Sequence, residues 1–326
     1  MRDSLVENLN TMKKVLFLLL SLFGFSAVSV IAQQRPIYDQ YHFNYYLINP
    51  AVAGADKCSH LMATGKQSWL GADGPSTYLL SYRTRLNSKN IGLGGYIYND
   101  HTPQFNYIGG QFTFAYHIPM SIGGKYSQKV ELDRQLSFGI SARVKYLKYD
   151  EVENVDDPAN ISEGEFMPDV NLGVYYVSYG FFAGASATNI IKFQPDMLGD
   201  SYTDEYLTAF LFMGYDFDFS RERTLEPSVN FNIDTKEHRQ AEFNLKYMQN
   251  NSDLDFGWWA QLSYRHCLDK GNAQPLSLIP IVGARFGKFQ LAYAFNLSLN
   301  EMASHNYGTH ELMLAYTFCI PKRFCR

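Results

Sequence analysis

Positive charge is scarce: 28 Lys and Arg stand against 32 Asp and Glu, for a formal net charge of -4. Beyond the pair Lys322-Arg323 near the end there is no basic run, so the chain has no field to neutralise phosphates, and nucleic acid is not an expected partner. Cysteine is also rare, with four in the chain. No close Cys pair is matched by a His pair at ligand spacing, so no metal site is expected. Nucleophile elbows, phosphate-binding loops and dinucleotide fingerprints are missing as well. The nearest run, Gly92-Leu93-Gly94-Gly95, lies inside a strand with no helix after it. His310-Glu311 begins like a zinc-protease helix, but Leu314 stands where the second His is required. Ser263 or Ser298 with His266 or His117 are pairings that a polar-lined interior produces by chance. No catalytic residue and no cofactor is expected, and the chain reads as a non-enzyme.

Long apolar runs are absent after Ala32, so no later segment crosses a bilayer as a helix. What the chain has instead is aromatics at 16%, with 24 Tyr, 24 Phe and 24 Gly, a bias towards sheet. From Phe289 to Leu299 the residues Phe289, Leu291, Tyr293, Phe295, Leu297 and Leu299 alternate with Gln290, Ala292, Ala294, Asn296 and Ser298. That is a strand with one greasy face. Phe138, Ile140, Ala142, Val144 and Tyr146 alternate likewise with Gly139, Ser141, Arg143 and Lys145; Phe243, Leu245 and Tyr247 do so with Glu242, Asn244 and Lys246. Charges keep to one parity, and a charge at the lipid midplane costs about 2 to 4 kcal/mol, so the charged parity marks a lumen. In hydrocarbon a sheet spans only if it closes on itself, because each unpaired backbone group costs several kcal/mol. The sequence therefore predicts an all-β protein, a transmembrane antiparallel β-barrel of about fourteen strands preceded by a short irregular segment.

The boundaries follow. Lys13 and Lys14 precede the apolar run Val15 to Phe25, and Val30-Ile31-Ala32 offers a cleavage site, so residues 1–32 read as a secretory signal, translation starting at Met1 or, given the acidic leader, at Met12. Residues 33–57, rich in Tyr and Asn, do not alternate; irregular structure held by side-chain hydrogen bonds is expected there, beneath the barrel in the periplasm or inside its lumen. The barrel is expected over 58–318 and a tail over 319–326. Short connections at 86–90, 178–180, 250–253 and 286–289 suit the periplasmic side; 150–167, 191–204, 266–275 and 300–307 suit the outer side. The connection 119–133 is a long exception. Closure makes the first and last strands neighbours at one rim, where Cys58 could bridge Cys319 or Cys325 or remain reduced.

Two stretches carry a resemblance. YDQYHFNYYLINPAVAG is similar to the N-terminal signature of the PorP/SprF proteins of type IX secretion, through Gln40, Tyr41, Phe43, Asn44, Asn49, Pro50, Ala51 and Gly54. Val52 stands where that family more often has an aromatic. KQSWLGADGPSTYLLS resembles its second signature, through Gln67, Trp69, Gly71, Gly74, Pro75 and Thr77, and the strand from His310 to Phe318 is similar to its C-terminal end. The resemblance implies an outer membrane barrel of Bacteroidetes that serves type IX secretion or gliding motility. It also implies partners: outer-membrane lipid, other secretion components, and a secreted adhesin or other cargo with a C-terminal sorting domain, exported by the barrel or anchored at the cell surface. A passive solute channel is the alternative.

Overall fold

The computed structural model describes residues 41, 44–56, 58–71, 74–86, 90–103, 105–120, 134–149, 164–193, 206–251, 253–300, 303 and 307–319. The signal segment expected over 1–32 and the loop 121–133 lie outside these residues, as do Gln40, Phe43 and Cys325.

The described chain is almost wholly strand: β1 (Cys58–Gln67), β2 (Ser76–Arg85), β3 (Ile91–His101), β4 (Phe105–Pro119), β5 (Arg134–Tyr149), β6 (Glu165–Ser178), β7 (Phe181–Thr188), β8 (Thr208–Tyr215), β9 (Phe217–Ser220), β10 (Arg223–Asp234), β11 (Arg239–Asn251), β12 (Phe256–Asp269), β13 (Asn272–Phe286), β14 (Phe289–Ser298) and β15 (Thr309–Cys319). β9 continues β8 past Asp216 along the same neighbour, β10, so the wall has fourteen strands. Every sequential pair is antiparallel, and β1 pairs with β15 from Cys58 opposite Cys319 to Gln67 opposite His310. That last pairing closes the barrel and removes the open edges a bilayer forbids.

Closure turns the soluble-protein rule inside out. Phe112, Phe138, Leu211, Phe243, Leu245, Val282, Leu312 and Leu314 are exposed, whereas Gln111, Thr113, Ser137, Asn171, Glu242, Ser263 and Glu311 are buried. Charges on the inner face meet partners there: Arg265 Nε lies 2.7 Å from Glu242 Oε2, and Arg143 Nη2 lies 2.7 Å from Asp169 Oδ2. The lumen is not polar throughout. Met62, Trp259, Ala292, Met313 and Ala315 form a buried apolar patch on β1, β12, β14 and β15, and Ile279, Ile281 and Ala294 form a second.

The rim with Cys58 and Cys319 carries the two-residue turns 179–180, 221–222 and 287–288, and the opposite rim carries 150–164, 189–207 and 299–308. Short turns mark the periplasmic side. Outward aromatics ring that rim in pairs, including Phe289 with Tyr316 at 4.7 Å and Phe256 with Phe286 at 5.1 Å between ring centroids. One expected outer loop, 266–275, is instead a two-residue turn, Lys270-Gly271, because β12 and β13 run on as a tall hairpin. Pro275 and a register shift between Arg265 and His266 break the alternation there, which hides the strands from a reading of period two.

Candidate functional site

The chain before β1 folds inside the barrel. Asn49 and Pro50 set its shape: Asn49 is extended at φ -140°, its Oδ1 accepts from the Ala51 N–H at 2.9 Å, and Pro50 supplies the fixed φ that starts the short turn Pro50–Val52. Asn49 is fully buried, so its amide must also find acceptors. Its Nδ2 donates to the carbonyls of Val174 on β6, at 2.9 Å, and Ala185 on β7, at 3.2 Å. A single side chain thus caps a turn and fastens it to two strands.

The rest of the plug is held likewise. Tyr46 shares a 2.8 Å hydrogen bond with Thr113 Oγ1 on β4; Asn44 Nδ2 donates to Ser81 Oγ on β2 at 3.0 Å; Asn230 Nδ2 on β10 donates to Tyr41 Oη at 2.8 Å. His117 Nε2 donates to the Ala53 carbonyl at 3.0 Å, and Gln135 Nε2 donates to the Ala55 carbonyl at 3.1 Å. Tyr45 stacks on Phe212 with centroids 4.5 Å apart and planes within 11°. Burial raises the Tyr41, Tyr45 and Tyr46 phenols, so they stay protonated and serve as hydrogen-bonding groups. Val52, where the resemblance expects an aromatic, is 6% exposed among these residues.

The wall is cut to receive this backbone. A Cβ on Gly139 would lie 2.3 Å from Ala51 N, and one on Gly92 would lie 1.8 Å from the Ala53 carbonyl oxygen. Only glycine lets the two main chains touch. Gly54 combines a close approach with φ +69°, and there the plug turns towards β1. At this exit Asp56 Oδ2 lies 2.6 Å from His60 Nε2 and 3.7 Å from Arg83 Nη2, while Arg83 Nη1 donates to the Val52 carbonyl at 3.3 Å. Burial pushes the Asp56 carboxyl upward, but Arg83 and His60 overcome it and hold it well below the usual carboxylate range. His60 Nδ1 in turn meets Thr317 Oγ1 of β15 at 3.2 Å, so the plug's exit is tied across the closing seam.

The second signature lies elsewhere, at the extracellular rim. Ser68 N–H donates to the Pro75 carbonyl at 2.8 Å and Gln67 Nε2 to the Gly74 carbonyl at 3.0 Å, which closes the loop between β1 and β2. Thr77 Oγ1 donates to Asp100 Oδ1 at 2.7 Å. Leu70 exchanges two backbone hydrogen bonds with Tyr307 and Gly308 across the seam. Gly71, at φ +88°, packs under the Tyr307 ring. Trp69 sits at φ +48°, a conformation that costs a bulky residue about 1 to 3 kcal/mol and is retained only where the surroundings impose it. Leu70 and Tyr307, at 46% and 77% exposure, stand up beside it.

The two signatures therefore do not converge on one site. Tyr41, Asn44, Asn49, Pro50 and Gly54 build the plug, and Gln67, Trp69, Gly71, Gly74, Pro75 and Thr77 build the rim. The plug's wall partners, Gly92, Gly139, His117 and Gln135, escape a sequence reading; the signal that marks the glycines is their place on the luminal parity, where polar residues otherwise stand. Nor do Ser263 and His266 meet: Ser263 faces the lumen, while His266 is on the outer parity of β12, bonded to Tyr264 Oη at 2.9 Å.

No curated protein matches the chain. Among solved structures it is similar to the toluene transporter TbuX of Ralstonia pickettii, at 11% identity and a TM-score of 0.47, covering 83% of this chain and 92% of that one. It is similar to the monoaromatic hydrocarbon channel CymD at 10% identity and 0.47, covering 84% and 92%, and to BamA of Haemophilus ducreyi lacking POTRA domains 1–3 at 8% and 0.42, covering 81% and 70%. Similarity at that level leaves the ligands of those proteins to those proteins. The sequence pattern of one family, described as type IX secretion system membrane protein PorP/SprF, matches residues 30–316. With an outer membrane barrel in hand and that match running from the plug through the closing strand, the chain belongs to the PorP/SprF family of type IX secretion membrane proteins.

Proposed function

We propose that this outer membrane barrel holds a secreted partner of the type IX pathway at the cell surface, or helps to export it, and does so without catalysis and without conducting solutes. The observation that carries the reading is the plug. A segment fastened to β2, β4, β5, β6, β7 and β10 and seated on glycines suits a barrel whose inside is structural. The lumen opposite the plug is filled as well, with Ser263 and Ile279 at 0% exposure and Glu311 and Met313 at 1%. That leaves the rims to meet a partner. At the outer rim the strained Trp69 and the exposed Leu70 and Tyr307 present a small apolar surface of the kind that recognition uses. The partner expected is an adhesin or another cargo with the pathway's C-terminal sorting domain, in a secretion or gliding setting.

Deleting the gene and labelling intact cells for surface proteins tests this. One adhesin or a small set should vanish from the surface and return on complementation; an unchanged surface proteome overturns the reading.

A further inference from the structure

Above the plug the lumen carries a line of buried hydrogen bonds that ends at the outer mouth. The rows of the wall set it out: Thr113 of β4, Ser141 of β5 and Asn171 of β6 are register partners, and in the next inward-facing row towards the outer rim so are Gln111, Arg143 and Asp169. Ser141 is small, so the longer amides on either side of β5 meet over it, and Asn171 Nδ2 donates to Gln111 Oε1 at 2.8 Å. Gln111 Nε2 donates to Thr113 Oγ1 at 3.1 Å, and Thr113 shares its 2.8 Å bond with Tyr46 of the plug. At the other end the backbone N–H of Asn189 donates to Asn171 Oδ1 at 3.2 Å. The N–H donors of Asn189, Asn171 and Gln111 thus point one way, head to tail, the arrangement in which neighbouring bonds strengthen one another.

Asn189 is also where the outer connection after β7 begins. It sits at φ +58°, a left-handed turn that Asn accepts more readily than most residues, and this carries the chain back over β6. There Asn189 Oδ1 accepts from Arg143 Nη2, Ile191 N–H donates to Asp169 Oδ1 at 3.3 Å, and Arg143 and Asp169 hold each other. Asn189 Nδ2 donates to the Tyr206 carbonyl at 3.2 Å, so the far end of the same connection is tied to the same residue. Further in, Asn171, Gln111, Thr113 and Tyr46 are all buried. A buried amide is costly to leave unsatisfied, so one that loses a partner turns to take another's. Displacing Asn189 therefore removes the donor from Asn171 Oδ1 and sets the groups beneath it competing, down to the hydroxyl of Tyr46.

We propose that this line couples the outer mouth to the plug, so that whatever draws Asn189 away from Arg143 and Asp169 loosens the hold of Tyr46 on β4. The coupling is reciprocal by thermodynamic necessity, and a loosened plug in turn weakens the docking of Asn189. The plug leaves the lumen at Asp56, beside His60 and Arg83 on the periplasmic side, so a contact made outside the cell is passed towards the inner mouth. The device does not depend on which partner makes that contact, or on whether one is exported.

The test measures amide hydrogen exchange by mass spectrometry on the full mature chain in mild detergent, with heat-modifiability confirming that each variant is folded. The reporters are the amides of Leu47, Ile48 and Asn49, which are bonded within the plug's own turn. Asn189→Gly keeps the left-handed turn and removes the side chain; it should raise exchange at the reporters by about tenfold, the worth of one hydrogen bond. Tyr46→Phe should raise exchange at residues 189–192 by a similar factor. Both variants remove polar atoms and add no bulk. Asp269→Ala, which unties His238 and the Arg239 N–H at another point of the outer rim, should leave the reporters unchanged. With Asn171→Leu in place the line is cut, and Asn189→Gly should add nothing. Unchanged reporters after Asn189→Gly, unchanged exchange at 189–192 after Tyr46→Phe, an equal rise after Asp269→Ala, or the same rise with Asn171→Leu in place would each overturn the proposal.

Discussion

Gly139 shows how little tolerance the plug's seat has. A methyl there meets Ala51 N at 2.3 Å, and that neighbour is backbone, itself fixed by the bonds of Asn49. Gly139→Val should therefore lift the turn Pro50–Val52 off β5 and lower stability by about 1 to 3 kcal/mol, as overpacking does. Heat-modifiability in detergent reads the loss, and partial digestion should newly cut within residues 44–56. Asp56 gives a different kind of test. Its folded carboxyl is held below the ordinary range by Arg83 and His60, so its contribution is complete above about pH 5 and shrinks as pH falls through and below the ordinary carboxylate value. The gap in thermal midpoint between the wild type and Asp56→Asn should then be narrower at pH 3 than at pH 5. A gap that stays constant at pH 3 removes the ion pair as its cause.

At the scale of elements, the strands were legible because every one that spans the membrane must answer to two solvents at once, and the alternation of Phe289 to Leu299 or Phe138 to Tyr146 is the direct imprint of that demand. The plug was legible only as an exception to it. Asn49-Pro50 announces a capped turn, but that Asn49 would reach carbonyls on β6 and β7 depends on contacts more than a hundred residues away, which no local pattern carries. The apolar luminal patches on β1 and β12 to β15 were hidden for the opposite reason: Ile279, Ile281 and Met313 sit on the parity that periodicity assigns to water. The seam offers a prediction of its own. Cys58 is disulfide-bonded, Cys267 is a free thiol, and Cys319 stands opposite Cys58 in the closing register. We propose Cys319 as the partner over Cys325, because the register already brings those two backbones side by side. A non-reducing peptide map should find the Cys58–Cys319 pair, and reduction should cost about 2 to 5 kcal/mol of stability, the range for a native bridge closing a long loop. A map that joins Cys58 to Cys325 instead would refute the assignment.

On the scale of the whole molecule, anchor and channel differ in one bulk property. Purified barrel in planar bilayers should show no steady conductance, and removal of residues 44–56 should produce one, since the plug is then gone and the wall remains. Steady current through the intact chain would favour the channel instead. The outer membrane setting and the secretion family are common to both readings; what separates them is whether the inside of the barrel is used for passage.

The plug precedes the first strand in the chain, yet its seats are on β3, β5 and β6, and its exit is clasped between the first and last strands. Its seats exist only where those strands stand side by side, and its clasp only where β1 meets β15, so the plug's contacts depend on the same pairings that close the wall. The leading segment thereby laces together staves that lie far apart in the chain, β2 with β10 and β1 with β15.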